Sequence, residues 1–424
     1  MNNFSHPDHK VAVIGTGGSA KALLEHEEIN GEITYFSSMD SGSFNGRPIH
    51  ALSSMLTRNF DAYIVAIYDY SELLEVLEKL PQNRLYWFDN TQKKLVKIGD
   101  LYNDKNQLSI KESQILTVIY DFRVTPPTYD FLNFMVHAKL TANKLGLTTI
   151  KVIFCPGDKA GFREDISFFS IDEMNFRFNN LLLPLISLVD KHANFSVCRT
   201  REEARLLYRQ ASHRFPLEHN FLRPKAVHFF DELLRFHTSG TSIAILESSA
   251  FYQEKVKSWA SARKITLDKT VVVTLRECDA HHERNSHLPT WKSVCMELIS
   301  KGMNVVVIRD TEKALLPLNW DGVYECSEAA LSVHMRFALY ELCHINLMTS
   351  NGAQALVSLS PRCKYILFGM LNPSCTSNTV SHLTRIGIVP GSDQRISARE
   401  GQYLDWNAIT TESVMAAMNR FFNV

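Results

Sequence analysis

Short, nearly continuous apolar runs recur along the chain, each closed by a glycine-rich or charged turn. The runs are Val11–Ile14, Glu32–Ser37, Ala62–Ile67, Leu85–Phe88, Ile115–Tyr120, Thr149–Phe154, Ala193–Cys198, Thr270–Leu275, Asn304–Ile308, His344–Met348 and Lys364–Phe368. Unbroken β-formers without polar alternation read as strands covered on both faces, the signature of parallel sheets. Shorter strands are expected at Ser242–Glu247 and Gly322–Cys326. Between the runs lie segments of helical period: Lys21–His26, Ser71–Leu80, Tyr129–Leu145, Asn175–Lys191, Glu202–Ala211, Ala226–Phe236, Tyr252–Ala262, Thr290–Lys301, Ser332–Leu342 and a closing stretch within Asp405–Phe422. Pro184 is expected to interrupt the fourth of these, and Thr200 with Glu203 forms a capping box for the fifth. Regular alternation of strand and helix predicts an α/β protein.

With 424 residues the chain exceeds one ordinary core. Three units are expected: residues 1–101, 114–262 and 266–424. The polar stretch Asn103–Ser113 links the first two.

Charge narrows the function. Lys+Arg and Asp+Glu are equal at 45 each, which argues against a general nucleic-acid binder with its basic excess. A small phosphorylated ligand needs only one or two local cations and stays open. The longest apolar run, Leu181–Val189, contains Pro184 and is too short to span a bilayer. The polar first ten residues show no secretory signal, and a peripheral membrane contact is left open. The eight cysteines contain no C-x-x-C pair, so neither zinc knuckle nor disulfide framework is expected. A cytoplasmic setting is the simplest reading, and the oligomeric state is left open.

Candidate chemistry sits where strands end. Gly15-Thr-Gly-Gly-Ser-Ala20 follows the first strand and opens a helix. Its G-x-G-x-x-A spacing permits a tight turn and close approach of a phosphate through Gly15, Gly17 and Gly18. Asp40 stands near the distance of a ribose-binding acid. The alternatives are a bound nucleotide or nucleotide-sugar, and a ligand-free module used for docking. In the last third, three strands end in Arg276-Glu277, in Arg309-Asp310 and in Ser350-Asn351-Gly352. Arginine forks suit phosphate, and a turn opening a helix offers backbone N–H groups. Asp310 suits a base or ribose hydroxyl. Taken singly, Ser350–Gly352 reads equally as a helix N-cap and Arg309-Asp310 as a surface ion pair. His281 and His282 follow Arg276 in a polar loop, with a metal or base role open beside a merely polar one. No D-x-D or H-x-x-x-H spacing marks a metal site.

Two successive Rossmann-like lobes with a nucleotide site in the second resemble a GT-B glycosyltransferase, preceded here by a small Rossmann-like module. That module resembles those attached to bacterial sugar-modifying enzymes, on Val13-Ile-Gly-Thr-Gly-Gly-Ser19. The last lobe is similar to the fucosyltransferase superfamily through Arg276, Asp310 and Ser350. Thr274 and Glu277 replace that family's flanking His and Arg, so fucose or guanine specificity is not implied. The resemblance implies a nucleotide-sugar donor on residues 266–424, an acceptor (glycan, lipid-linked or protein) on 114–262, and no cofactor or metal. It further implies a general base among strand-end carboxylates of the first lobe: Asp121, Asp158 or Glu164, each of which reads equally as a loop-structuring group. Arg163 is left between acceptor and donor phosphate. A sugar-nucleotide epimerase or hydrolase shares the two-lobe layout, and a non-catalytic nucleotide-binding scaffold is the third alternative.

Overall fold

The computed structural model describes residues 6–25, 29, 31–38, 42–67, 73–77, 79–90, 93–98, 112–165, 168–279, 282–372 and 374–422. Asp40, His281 and residues 103–111 of the expected linker lie outside them. The chain divides into two compact units, Met1–Ile110 and Lys111–Val424.

The first unit is built on β1 (Lys10–Ile14), β2 (Glu32–Ser37), β3 (Ser43–Phe44), β4 (Arg47–Ala51), β5 (Ala62–Val65), β6 (Leu85–Asp89) and β7 (Lys94–Lys97). They form one sheet in the order β3-β4-β2-β1-β5-β6-β7. From β4 to β6 every pairing is parallel, and β3 and β7 add antiparallel edges. Four strands were expected in this region. The three missed ones lie at the two ends of the sheet: Arg47 and Pro48 in β4 beside the two-residue β3, and the terminal lysines of β7, hide the strand pattern. Of the helix expected over Ser71–Leu80, the described residues show Leu74–Leu77.

The second unit carries two all-parallel sheets. The first joins β8 (Ile115–Asp121), β9 (Thr149–Cys155), β10 (Asn194–Val197) and β11 (His213–Phe215) in the order β10-β9-β8-β11. The second joins β12 (Thr270–Thr274), β13 (Asn304–Ile308), β14 (Val323–Glu325), β15 (Ile345–Thr349), β16 (Tyr365–Phe368) and β17 (Gln402–Leu404) in the order β14-β13-β12-β15-β16-β17. The α/β class and the Rossmann-like pair of lobes are thus as expected. Both sheets start at a central strand, wind outward, then cross back to its other side. The crossing leaves a crevice beyond the carboxyl ends of β12 and β15, and another beyond β8 and β11.

Burial explains why β12 reads so clearly. Thr270–Thr274 is at most 2% exposed throughout, with Trp291 and Val294 on one face and Phe337 and Tyr340 on the other. In the first lobe the helix Asp130–Lys144 buries Phe131, Leu132, Phe134, Met135, Val136, Ala138, Leu140 and Ala142. One apolar cluster runs from this helix through β8 and β9 to Met348 and Leu356 of the second lobe. The lobes therefore share a core.

Pro184 interrupts its helix as expected, in an unexpected form. The helix Ile171–Arg177 widens into a π-turn over Phe178–Leu182 before resuming at Leu183–Val189. Proline cannot donate to the carbonyl four residues back, and the wider turn accommodates the missing bond. The strand expected at Ser242–Glu247 is absent. That segment runs extended without a ladder, making a single backbone bond from Leu246 N–H to the Leu359 carbonyl (3.0 Å). The short strands β11 and β17 were missed.

Candidate active site

Arg276 leaves β12 at the crevice beside β15. It is 7% exposed. Its backbone N–H donates to Ser286 Oγ (2.9 Å), and its guanidinium donates to Asn285 Oδ1. Asn285 Nδ2 in turn donates to the Cys278 carbonyl (2.9 Å), so the loop is folded over the arginine. Arg284 comes from the same loop and reaches the end of β15. Its Nη2 donates to the Ser350 carbonyl (2.6 Å) and to Ser350 Oγ (3.4 Å), and its Nη1 points to Cys375 Sγ (3.7 Å). Burial, reinforced by the like charge of Arg276, lowers the Arg284 pKa from its ordinary value. A buried guanidinium, Arg276, and a half-buried one, Arg284, thus stand together at the β12/β15 crossing. Thr349 Oγ1, on a residue 5% exposed, has no hydrogen-bond partner among the described residues. Such an unpaired hydroxyl is an exception among buried polar groups. Sequence reasoning places Arg284 in the charged loop behind Arg276 without giving it a role of its own.

The turn Ser350–Gly352 is at the expected place with altered roles. The helix after it is only Gln354–Ser358, too short to build a strong dipole. Asn351 Oδ1 accepts from Gln354 N–H (3.2 Å) and is a helix cap. Gly352 admits the ring of Tyr129 from the first lobe, since a Cβ there would stand 2.8 Å from Tyr129 Cδ2.

Arg309 is committed elsewhere. Its Nε and Nη2 hold both oxygens of Glu277 (2.8 and 2.5 Å), and its Nη1 donates to the Leu316 carbonyl. A phosphate at Arg309 would have to displace this fork. Asp310 Oδ2 accepts from Glu277 N–H (2.6 Å). Beside it Arg336, 5% exposed, donates through Nε to the Ala329 carbonyl (2.9 Å). Burial opposes the Arg336 charge, yet Tyr129, Tyr340 and Asp310 around it hold its pKa above the ordinary value. A pocket of about 90 Å³ opens here between the lobes, lined among others by Tyr129, Glu173, Arg177, Asp310, Glu312 and Arg336. Burial and the neighbouring Glu173 and Asp279 raise the Glu312 pKa.

Of the three carboxylates singled out in the first lobe, Asp121 is a structural group. It is 2% exposed, takes both Nη atoms of Arg201 (2.7 and 2.6 Å), and accepts from Arg123 N–H (3.0 Å) with His219 Nε2 at 3.0 Å. Burial would raise its pKa, but these partners outweigh it and hold the carboxyl below its ordinary value. So poised, it is a poor proton acceptor. Asp158 is clamped by Arg123 through Nε (2.8 Å) and Nη2 (2.8 Å), which lowers its pKa. Glu164 is exposed and makes no hydrogen bond or ion pair with a described residue. Arg163 Nε pairs with Asp165 (2.7 Å), and its Nη1 donates to the Val124 carbonyl (3.1 Å). His282 starts a single turn, His282–Arg284, and is exposed.

In the first unit, Gly15 adopts φ +110° where β1 meets β5, and a Cβ would stand 2.8 Å from the Ala66 carbonyl oxygen. Only glycine fits. Gly17 and Gly18 have open space around them and precede a helix of seven residues, Gly18–Leu24.

No protein-family model matches the chain, and no curated protein matches it significantly. Among solved structures it is similar to a family 9 glycosyl transferase from Veillonella parvula, with 11% identity over 73% of this chain and 97% of that one and a TM-score of 0.38. An E. coli heptosyltransferase with ADP-2-deoxy-2-fluoro heptose shares 11% identity over 72% and 99%, with a TM-score of 0.35. A UDP-GlcNAc 2-epimerase from Methanocaldococcus jannaschii shares 14% over 98% and 93%, with a TM-score of 0.28. Among the described residues no helix is long and apolar enough to cross a membrane, and no His/Cys/Asp/Glu group has the arrangement of a metal site.

Proposed function

We propose that the chain is a glycosyltransferase that holds a nucleotide-sugar on its second lobe and passes the sugar to an acceptor on the first. The observation that carries this is the pair Arg276 and Arg284 beside Ser350 and Thr349, at the crossing point where α/β sheets take ligands. Two guanidinium groups suit a diphosphate. Charge on the departing diphosphate grows as the glycosidic bond breaks, so fixed donors there lower the barrier by about 3–4 kcal/mol each. Asp310, close to the crevice, suits a ribose or base hydroxyl. The acceptor hydroxyl must lose a proton as it attacks. Glu312, in the pocket between the lobes with its pKa raised, is better poised for this than Asp121 or Asp158.

The test is turnover of a panel of nucleotide-sugars with and without glycan, lipid-linked and protein acceptors. The proposal expects release of nucleoside diphosphate only when an acceptor is present, and undiminished rates in excess chelator. Turnover of donor alone would mean an epimerase or hydrolase, and no turnover with no thermal shift would mean a scaffold. A chelator-sensitive rate restored by manganese or magnesium would remove the arginines from the leaving-group role. Glu312→Gln is expected to lower kcat by at least about tenfold, within the usual worth of a general base, and to abolish the rise of kcat with pH.

A further inference from the structure

The first lobe has its own crossing point, between β8 and β11, and a cavity of about 1060 Å³ opens there. Arg123 after β8, Pro216 and Glu218–Leu222 after β11, and Arg201, Glu202, Arg205 and Arg209 of the helix Arg201–Gln210 after β10 line it. Part of its lining is neutralised: Arg201 is paired with Asp121, Arg123 with Asp158 and Arg205 with Glu202. The rest is not. Arg209, Arg223 and Lys225 are exposed, line the cavity and have no ion-pair partner among the described residues, against the single unpaired acid Glu218. The same loop carries two leucines that packing leaves in water, Leu217 at 71% and Leu222 at 85% exposed. A cavity at a sheet crossing is a place for a ligand. Cations facing solvent ask for an anion, and leucines beside them ask for a hydrocarbon partner.

We propose that this cavity binds the phosphorylated head of a membrane amphiphile, with Arg209, Arg223 and Lys225 on the phosphate and Leu217 and Leu222 in the acyl or prenyl region. Charge complementarity selects the head, and the exposed leucines select an amphiphile over a soluble phosphate. Where the glycosyl transfer proposed above holds, such a molecule is its acceptor. The binding itself is measurable without turnover, so either reading can fail alone.

The experiment is flotation of the full chain with phosphatidylcholine vesicles that contain or lack phosphatidic acid. The expected result is binding at least about tenfold stronger with phosphatidic acid, since each basic residue near an anionic surface adds appreciably. Arg209→Gln/Arg223→Gln/Lys225→Gln and Leu217→Ser/Leu222→Ser, each confirmed as folded by its unfolding transition, should each lose that binding. Removing three exposed cations elsewhere, Lys144→Gln/Lys191→Gln/Lys264→Gln, should leave it intact. Equal binding to both vesicles would overturn the proposal, as would wild-type binding by the triple arginine–lysine variant, or equal loss in the lysine control. If the leucine variant binds vesicles like wild type while inorganic pyrophosphate occupies the cavity in calorimetry, the ligand is a soluble phosphate and the amphiphile is excluded.

Discussion

At the scale of single residues, what decides each role is the partner that folding supplies. Arg276 could be picked out because a buried strand delivers it to a sheet's edge. Arg309 looked equivalent, yet Glu277, 32 positions away, takes its Nε and Nη2. Such pairing depends on the register of β12 against β13 and is invisible in a sequence. Asp121 is the same case, with partners 80 and 98 positions away. Its carboxyl titrates below the ordinary value when folded, so the stability from its ion pair is present above about pH 4 and lost as pH falls through the folded value. Asp121→Asn leaves the Arg201 guanidinium, 18% exposed, without its charge partner. The expected cost is about 3–5 kcal/mol in urea unfolding at neutral pH, and a variant as stable as wild type would contradict it. His137 sets a different window. Burial, aided by the Arg235 charge, pushes its pKa down to about 4, with Phe215 and Phe236 against the ring. The unfolded chain binds a proton from about pH 6.5 downward while the folded one refuses it. Stability is therefore expected to drop by about 3 kcal/mol between pH 6.5 and 4. His137→Leu should flatten that part of the pH profile.

At the scale of elements, the strands that read clearly are the central ones, where every side chain is covered and polar residues are excluded. Val271–Val273 and Val305–Ile308 are of this kind. The ones missed are β3, β4, β7, β11 and β17, all short, polar or at an edge, where the ladder rather than the side chains defines the strand. Loop shape was less legible still. The loop after β9 folds back on itself through Gly157 and Gly161, and a Cβ at Gly157 would stand 2.3 Å from the Phe162 oxygen and 2.5 Å from the Phe122 oxygen. Both are backbone atoms that cannot step aside. Gly157→Ala is expected to cost about 1–3 kcal/mol of stability, seen as a lowered Tm. Gly161→Ala should cost strain through its φ of +89° without any clash.

At the scale of the whole molecule, the three sheets share one construction: a central strand, an outward winding, and a return that opens a crevice. The α/β class and the two lobes of residues 111–424 follow from strand–helix alternation. The site follows only when topology brings β12 beside β15, strands whose first residues are 75 positions apart. The first 110 residues form a compact unit. A chain starting at Lys111 is therefore expected to fold alone and to keep the donor site, with nucleoside-diphosphate affinity equal to that of the full chain. Aggregation of that fragment, or a single unfolding transition for the full chain, would show instead that the first unit is needed by the second. The central claim, a diphosphate held at the β12/β15 crossing, is tested most directly by calorimetric titration of a panel of nucleoside diphosphates into wild type, Arg276→Ala and Arg284→Ala. The account predicts that one diphosphate binds wild type and that each variant, folded by its Tm, loses about 1.5–3 kcal/mol of affinity. Unchanged affinity in both folded variants would contradict it.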